Sequence, residues 1–401
     1  MGKKIKSVQF ITSEPFPYGM AATNRILSLC KGLKTNNIDV LVVCMNKTED
    51  HNEILNAKPT GEYEGIQYRY IMNSSIASRF KIKRGIDSYL KNMYLLIYGL
   101  KVYSGNTVQI YYSKESIAAI LTKIASMIRR SIFIKEETEH PNVRTKHMSK
   151  LMRYAFIKYH YNIFDGLFVI SENLYTYFKT DTNYRKPVFI LPMVVDVDRF
   201  SKHRDGRKNN EIVFCGVLDN GKEGIDILLH AFSQIKKSYH DYLLRVYGKT
   251  SSEYESNNYL KWFSDTAKGY GVENSAKLMG YRTREAITDI MLNAKILVSP
   301  RPHSEQAEYG FSTKLGEYLM SASTVVATRV GGVSNHLTDK ENAYLCDPYV
   351  ESMVQALSNA IMDGAATMPV GAEGRKYALK KFNNHVEIKR IIREIVQEYD
   401  L

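Results

Sequence analysis

Residues 296–332 read ILVSPRPHSEQAEYGFSTKLGEYLMSASTVVATRVGG. Ile296, Leu297 and Val298 form the short uncharged run that suits a buried parallel strand. Pro300 and Pro302 stop the run and force a loop, because neither can donate to a sheet ladder. Gly310 allows a tight turn, and Ser312 or Thr313 can cap a helix start. Leu315, Tyr318, Leu319 and Ala322 then recur at helical spacing. Val325, Val326 and Ala327 read as the next strand, which Gly331-Gly332 closes. A helix that begins at the end of a parallel strand offers free N–H groups and the positive end of its dipole. The stretch therefore reads as a phosphate site built without a GxGxxG fingerprint or a Walker lysine loop.

Glu317 falls about one turn into this helix, opposite the stripe of Leu315, Tyr318 and Leu319. It is either a solvated surface carboxylate or an acceptor for the vicinal hydroxyls of a ribose whose phosphates sit at the helix start.

Outward from this stretch, the chain is 401 residues long, enough for two domains with full cores. Its net charge of +13 is unevenly placed: residues 1–200 hold 29 Lys+Arg against 17 Asp+Glu, and residues 201–401 hold 26 against 25. A basic half implies an anionic partner such as a membrane surface, a lipid phosphate or a nucleic acid, or else a surface that only aids solubility. Cys30, Cys44, Cys215 and Cys346 form no CxxC and suit buried thiols in a reducing compartment. No run is long and apolar enough for a signal or a membrane span, so a cytoplasmic chain with at most peripheral contact at the inner face of the cell membrane is expected. Nucleic acid is not expected as a partner, since no RNP, helix-turn-helix or zinc module is visible.

Along the chain, residues 8–11, a helix over 22–33 and residues 39–45 give a Rossmann-like opening, with Gly19 in the first loop. A weak strand is expected over 65–70. Residues 79–104 mix basic residues with Tyr, Leu, Ile and Met, which fits an amphipathic surface for membrane or acceptor contact or a helix packed on its own sheet. Its candidate charges are Arg79, Lys81, Lys83, Arg84 and Lys91, beside the run 94–100, with Tyr89, Tyr94, Tyr98 and Tyr103 as interfacial aromatics. Strands are expected at 108–112, 132–136 and 165–171, and His140 follows the second of them, where α/β sheets bind ligands. Asp196-Val197-Asp198 spells DxD but follows the last strand of the first half, so no metal is assigned to it. Residues 199–210 read as a linker. A second α/β domain follows over 211–383: a strand ending at Gly216, a loop with Lys222, a helix with Ile225, Leu228, Leu229 and Phe232, then strands ending at Gly248 and Gly280-Tyr281.

The run GFSTKLGEYLMSASTVVATRVGG resembles the nucleotide-sugar site of retaining glycosyltransferases of family 4, which have the GT-B fold. Their pattern places a carboxylate just before Gly-Phe and a second eight residues later; Glu317 matches the second, and Tyr309 stands at the first with Glu308 beside it. The family's glycine-turn segment carries an arginine and a lysine for the donor diphosphate; Lys222 matches the lysine, and Val217 stands at the arginine. The family's histidine near the donor sugar matches His140, and its opening glycine loop with a helical arginine matches Gly19 and Arg25.

The resemblance implies two Rossmann-like domains facing a central cleft: residues 1–198 for the acceptor, residues 211–383 for the donor, and a last helix, about 384–401, returning to the first domain. It implies transfer of a sugar from a UDP- or GDP-type nucleotide sugar to a glycan or lipid-linked acceptor in cell-surface polysaccharide biosynthesis, with no cofactor and no metal. His140, Lys222 and Glu317 would act in catalysis. Donor binding would fall to Gly19, Gly216, Gly248, Gly280, Tyr281 and residues 308–315, namely Glu308, Tyr309, Gly310, Phe311, Ser312, Thr313, Lys314 and Leu315. Two other readings stay open: a non-catalytic GT-B subunit that binds a sugar nucleotide or a partner, and a nucleotide-sugar epimerase.

Overall fold

Short runs of β-branched and aromatic residues, each closed by Gly, Pro, Ser or Asn, become strands, and amphipathic stretches between them become crossover helices. The computed structural model describes residues 4–52, 54–201, 208–250, 253–363 and 370–400. The chain divides into two compact units, Met1–Asp196 with Asn384–Leu401, and Val197–Asn383. The division falls two residues ahead of the expected boundary. Residues 202–207, the middle of the expected linker, lie outside the described residues.

The first unit contains β1 (Ser7–Thr12), α1 (Ala21–Thr35), β2 (Asp39–Cys44), β3 (Thr60–Tyr63), β4 (Ile66–Tyr70), α2 (Lys81–Val102), β5 (Thr107–Tyr112), α3 (Ser116–Arg129), β6 (Ile132–Glu137), α4 (Pro141–Thr145), α5 (Lys150–Asn162), β7 (Gly166–Val169), α6 (Glu172–Thr176) and β8 (Val188–Ile190). Its sheet runs β3-β4-β2-β1-β5-β6-β7-β8. All pairs are parallel except the edge hairpin β3–β4, whose turn residues Glu64 and Gly65 both have positive φ. β3 was not expected; its sequence, TGEY, is too polar to announce a strand.

Alternation along the strands separates two cores. Phe10, Val42, Ile110 and Ile134 pack with α1, and Ile11, Val43, Tyr111 and Phe133 pack with α2 and α3. The order reverses between β1 and β5, so right-handed crossovers carry α1 on one face and α2, α3 and α5 on the other. Three residues expected on the outside of α2 turn inward. Tyr98 and Tyr103 are buried and meet edge to face at 6.0 Å. Lys91 is buried, with its ammonium 2.7 Å from Asn46 and 2.5 Å from Glu115.

The second unit contains β9 (Asn209–Val217), α7 (Asn220–Glu223), α8 (Ile225–Ile235), β10 (Leu243–Lys249), α9 (Glu253–Gly269), β11 (Ala276–Gly280), α10 (Arg284–Asn293), β12 (Ala294–Ser299), α11 (Glu305–Tyr309), α12 (Thr313–Met320), β13 (Thr324–Thr328), α13 (Val333–His336), β14 (Tyr344–Cys346), α14 (Val350–Asp363) and α15 (Val370–Lys381). Its sheet is wholly parallel, in the order β11-β10-β9-β12-β13-β14. The core is built from Phe214, Leu228, Leu244, Ile296 and Leu357 among others.

The chain then returns to the first unit. Helix α16 (Asn384–Glu398) packs Ile388, Ile391 and Ile395 into the core beside α1. Gly32 permits the close crossing, since a Cβ there would meet the Asn384 carbonyl.

Candidate functional site

In the second sheet β9 lies between β10 and β12, and the chain leaves it toward one side first and the other later. The carboxyl ends of β9 and β12 are therefore the switch point, where open α/β sheets hold ligands. β9 ends at Gly216-Val217, in register with Gly248-Lys249 of β10. A Cβ on Gly248 would fall on the Gly216 carbonyl, and a Cβ on Gly216 would fall on the Lys314 ammonium. The two expected glycines thus keep this edge bare for Lys314.

Lys314 comes from the first turn of α12, lies 4.6 Å over the Phe214 ring and pairs with the buried Glu223 at 2.5 Å. Burial pushes the Lys314 ammonium below its usual range. Glu223 opposes that shift, and the nearby Arg301 and Lys222 add to it. Lys222 is carried here by the turn of α7, and no hydrogen bond or ion pair engages its ammonium among the described residues. At Gly224 φ is +67°, and a Cβ would meet the Pro300 carbonyl, so the α7–α8 junction lies directly against the loop that carries Arg301. Three cations and one buried carboxylate therefore meet at one sheet edge. Arg301, Glu223 and Gly224 were not singled out from the sequence; the one available signal was a lone arginine between Pro300 and Pro302.

Helix α12 starts as expected, with Ser312 at its N-cap. The Ser312 hydroxyl makes no capping bond, which leaves the first-turn N–H groups at Thr313 and Lys314 without an intrahelical acceptor. The Leu315 N–H is used, at 3.1 Å from the Ser312 carbonyl, and its side chain is core. The expected proline-rich loop contains a short helix instead, α11, because Ser304 caps it through the Ala307 N–H at 3.1 Å. Gly310 is extended (φ −90°, ψ 171°) rather than in a tight turn. Ala322, expected on the apolar stripe of α12, lies beyond its end at φ +57°.

Glu308 is exposed on α11 and Tyr309 is half-buried at its end. The Phe311 ring packs on His336 at 5.0 Å and Phe382 at 5.6 Å. Gly280 closes β11 at φ +70°, and the exposed Tyr281 ring lies 5.0 Å from the Lys249 ammonium.

Glu317 is neither fully solvated nor unengaged: its carboxylate pairs with Arg199. Arg199 is fixed by Thr288 Oγ1 at 2.7 Å and by the Arg284 carbonyl at 3.1 Å. Arg199 lies in a short 3-10 turn, Val197–Phe200, that belongs to the second unit rather than to a linker.

The remaining candidates lie in the first unit. Gly19 is explained locally, since a Cβ there would run into Thr23, whose hydroxyl donates to the Pro15 carbonyl at 2.7 Å. Arg25 is buried in an ion pair with Glu136 and donates to the carbonyls of Leu191 and Pro192 at 2.9 and 3.0 Å. His140 is buried at the N-cap of α4, where its Nδ1 accepts from the Asn142 N–H at 3.2 Å, which places the neutral ring's proton on Nε2. Its ring meets Tyr177 edge-on at 4.2 Å. Of the DxD pair, Asp196 is buried and held by Lys31 at 2.7 Å.

Residues 209–363 match the family model described as glycosyl transferases group 1. The chain is 27% identical over 142 residues to the alpha-1,3/1,6-mannosyltransferase ALG2 of Dictyostelium discoideum, which covers 35% of this chain and 33% of the relative. The match thus spans about a third of that relative's length. The sucrose-phosphate synthase of Thermosynechococcus elongatus superposes with a TM-score of 0.75 at 14% identity, over 98% of this chain and 99% of the other. Anabaena Alr3699/HepE, solved in complex with UDP and glucose, superposes with a TM-score of 0.69 at 15% identity, over 98% and 99%. The chain has the GT-B fold along its length, and its second unit matches the glycosyl transferases group 1 family.

Proposed function

We propose that this protein is a retaining glycosyltransferase of family 4, which moves a sugar from a nucleotide sugar to a glycan or lipid-linked acceptor in cell-surface polysaccharide synthesis at the cytoplasmic face of the membrane. The observation that carries the reading is the cluster of Lys222, Arg301 and Lys314 at the sheet edge of a unit that matches group 1 glycosyltransferases. A departing nucleoside diphosphate gains negative charge, and fixed cations and helix-start N–H groups stabilise that charge as a metal would. Arg301 supplies the positive charge that Val217 lacks. Glu317, steadied by Arg199, accepts the ribose hydroxyls. UDP is the favoured nucleotide, since Anabaena Alr3699/HepE is described with UDP. In the transfer the bond from the anomeric carbon to the diphosphate breaks, the acceptor oxygen bonds the same face of that carbon, and the acceptor proton leaves with the diphosphate. His140, which follows β6 at the N-cap of α4, is assigned to the donor sugar's reacting carbon.

Calorimetry with a panel of UDP- and GDP-sugars, followed by a turnover assay with and without EDTA, tests the reading. One nucleotide sugar is expected to bind, and turnover is expected to survive EDTA. Loss of turnover in EDTA with recovery on adding Mn²⁺ or Mg²⁺ would overturn the metal-free part. Val217 and Tyr309 favour a second reading, a non-catalytic subunit, which tight nucleotide binding without turnover across acceptors would support.

A further inference from the structure

Helix α2 carries two apolar stripes. One faces the sheet through Leu95, Tyr98 and Gly99. The other runs along the opposite side at helical spacing, through Ile82, Ile86, Tyr89, Met93 and Ile97, and all five are exposed. From Lys81 to Leu90 no side chain is buried, and Ile82 and Tyr89 are 82% and 71% exposed. Phe80, at the N-cap, is 75% exposed.

Helix α3 packs against α2, with Ala125 close to Gly99, and repeats the pattern. Its Ala118, Ala119 and Ala125 face inward, while Ile117, Ile120, Ile124, Met127 and Ile128 are exposed. Helix α5 is tied to the start of α3 by the Ser116–His160 contact at 2.9 Å and exposes Leu151, Met152, Tyr154 and Tyr159. A monomer in water rarely leaves this many large apolar side chains together on one side.

Net positive charge is concentrated in and beside the same helices, with Lys91 and Lys123 paired to Glu115 and Asp165 just outside them. Six basic residues lie in 79–102, three in 116–130 and five in 144–162. The one acidic residue in these segments is Asp87, which Lys47 holds at 2.9 Å. The three segments together carry +13, equal to the net charge of the whole chain. The opposite side of the sheet, under α1 and α16, has no such excess: α16 alone holds three acidic residues among its charges.

We infer that the α2–α3–α5 side of the first unit docks reversibly on an anionic lipid surface, with the isoleucine stripes entering the interface and the Lys and Arg residues meeting the headgroups. Both halves of the pattern are needed for this choice. A soluble polyanion would answer the charge but leave the stripes in water. A protein partner would cover the stripes, but protein interfaces are depleted in lysine. An interfacial helix pairs an apolar face with flanking Lys, Arg and Tyr, as α2 does. No helix among the described residues is long and apolar enough to cross a membrane. The expected charged set changes accordingly: Arg79, Lys81, Lys83 and Arg84 remain, the buried Lys91 leaves, and α3 and α5 join.

The inference rests on the membrane location in the proposed function and gives it a surface, but it does not depend on the transfer activity. The test is flotation of the full chain with vesicles of phosphatidylglycerol in phosphatidylcholine and with phosphatidylcholine alone, at low and high salt. The expected result is recovery on the anionic vesicles alone, falling steeply with salt. Replacing Arg79, Lys81, Lys83 and Arg84 together by Glu is expected to lower partitioning by about tenfold or more. The set Ile82→Ser, Ile86→Ser and Ile117→Ser is expected to lower it at low salt as well. All these positions are exposed, so thermal stability and nucleotide affinity in solution are expected to stay at the wild-type level. Equal recovery on both vesicles, or none on either, would overturn the inference. So would a concentration-dependent dimer that the serine variant dissolves, which would give the surface to a second copy of the chain.

Discussion

The two units share a parallel sheet with crossover helices, yet they place their charges in opposite ways. In the first unit the charges at the sheet's carboxyl edge are balanced within the protein. Arg25 is consumed by Glu136 and two carbonyls, and Lys135 lies 2.9 Å from the Ser113 carbonyl and 3.6 Å from Glu137. The excess charge of that unit lies outside, on α2, α3 and α5. In the second unit the totals nearly cancel, but at the sheet edge Lys222, Arg301 and Lys314 gather around the buried Glu223. A cluster of cations with a shifted ammonium at the carboxyl edge of a parallel sheet is where an anionic ligand is expected. Net charge alone would have directed attention to the first unit only.

The largest effect expected from breaking this contrast is Arg25→Met, which leaves Glu136 buried without its counter-ion. Removing one partner of a buried pair costs about 3–5 kcal/mol. Urea unfolding should show that loss, while the protein that remains folded should bind nucleotide as before. Lys314→Met is expected to reverse the emphasis. Its stability cost should be smaller, about 1–3 kcal/mol, because Arg301 and Lys222 remain nearby as counter-charges for the buried Glu223. Its nucleotide affinity should fall by about ten- to a hundredfold, as for a lost charged hydrogen bond. Wild-type affinity in calorimetry would mean that the cation cluster is structural like its counterpart, and the comparison would collapse.

Glu317→Ala sharpens the contrast at a residue that serves both purposes. An affinity loss of about 1.5–3 kcal/mol is expected. The pair with Arg199 adds a stability cost of roughly 1–2 kcal/mol, so folding is not spared as a purely solvated glutamate would allow. Retained affinity with reduced stability would leave Glu317 as a strut alone.

The last effect appears only at alkaline pH and concerns Lys208, beside β9. Its ammonium donates to the Leu292 and Ser321 carbonyls at 2.9 and 3.1 Å, and burial, with Arg375 nearby, pushes its pKa down to about 8. The unfolded chain then holds this proton more tightly, so the penalty for the charged form is present below pH 8 and is relieved as pH rises toward the unfolded value near 10.5. Relative to Lys208→Met, the wild type should gain up to about 3 kcal/mol across that window. A flat difference in unfolding free energy would show that Lys208 titrates normally.

The strand–loop–helix–strand order of residues 296–332 was legible in the sequence, as were the strand-ending glycines 216, 248 and 280. Those features are local: apolar runs, prolines and glycines act on their own backbone. α11 was hidden because two prolines mark a loop, while the capping serine that follows them is a weaker signal. Phe311 read as a ligand-side residue, yet its ring is held by His336 and Phe382 across long sequence gaps.

By itself the sequence determined the α/β class, the place of the helix start at Ser312 and Thr313, and the concentration of positive charge in the first half. These follow from periodicity, from single-residue stereochemistry and from counting. Only the tertiary structure decided how the charges are used. Lys314 meets Glu223 across 91 residues, and Glu317 meets Arg199 across 118. It also decided which side of α2 is buried. Helical spacing shows that a helix has two apolar stripes, but the sheet can cover only one, and the position of α3 turned Lys91 inward and left Ile82, Ile86 and Met93 in water.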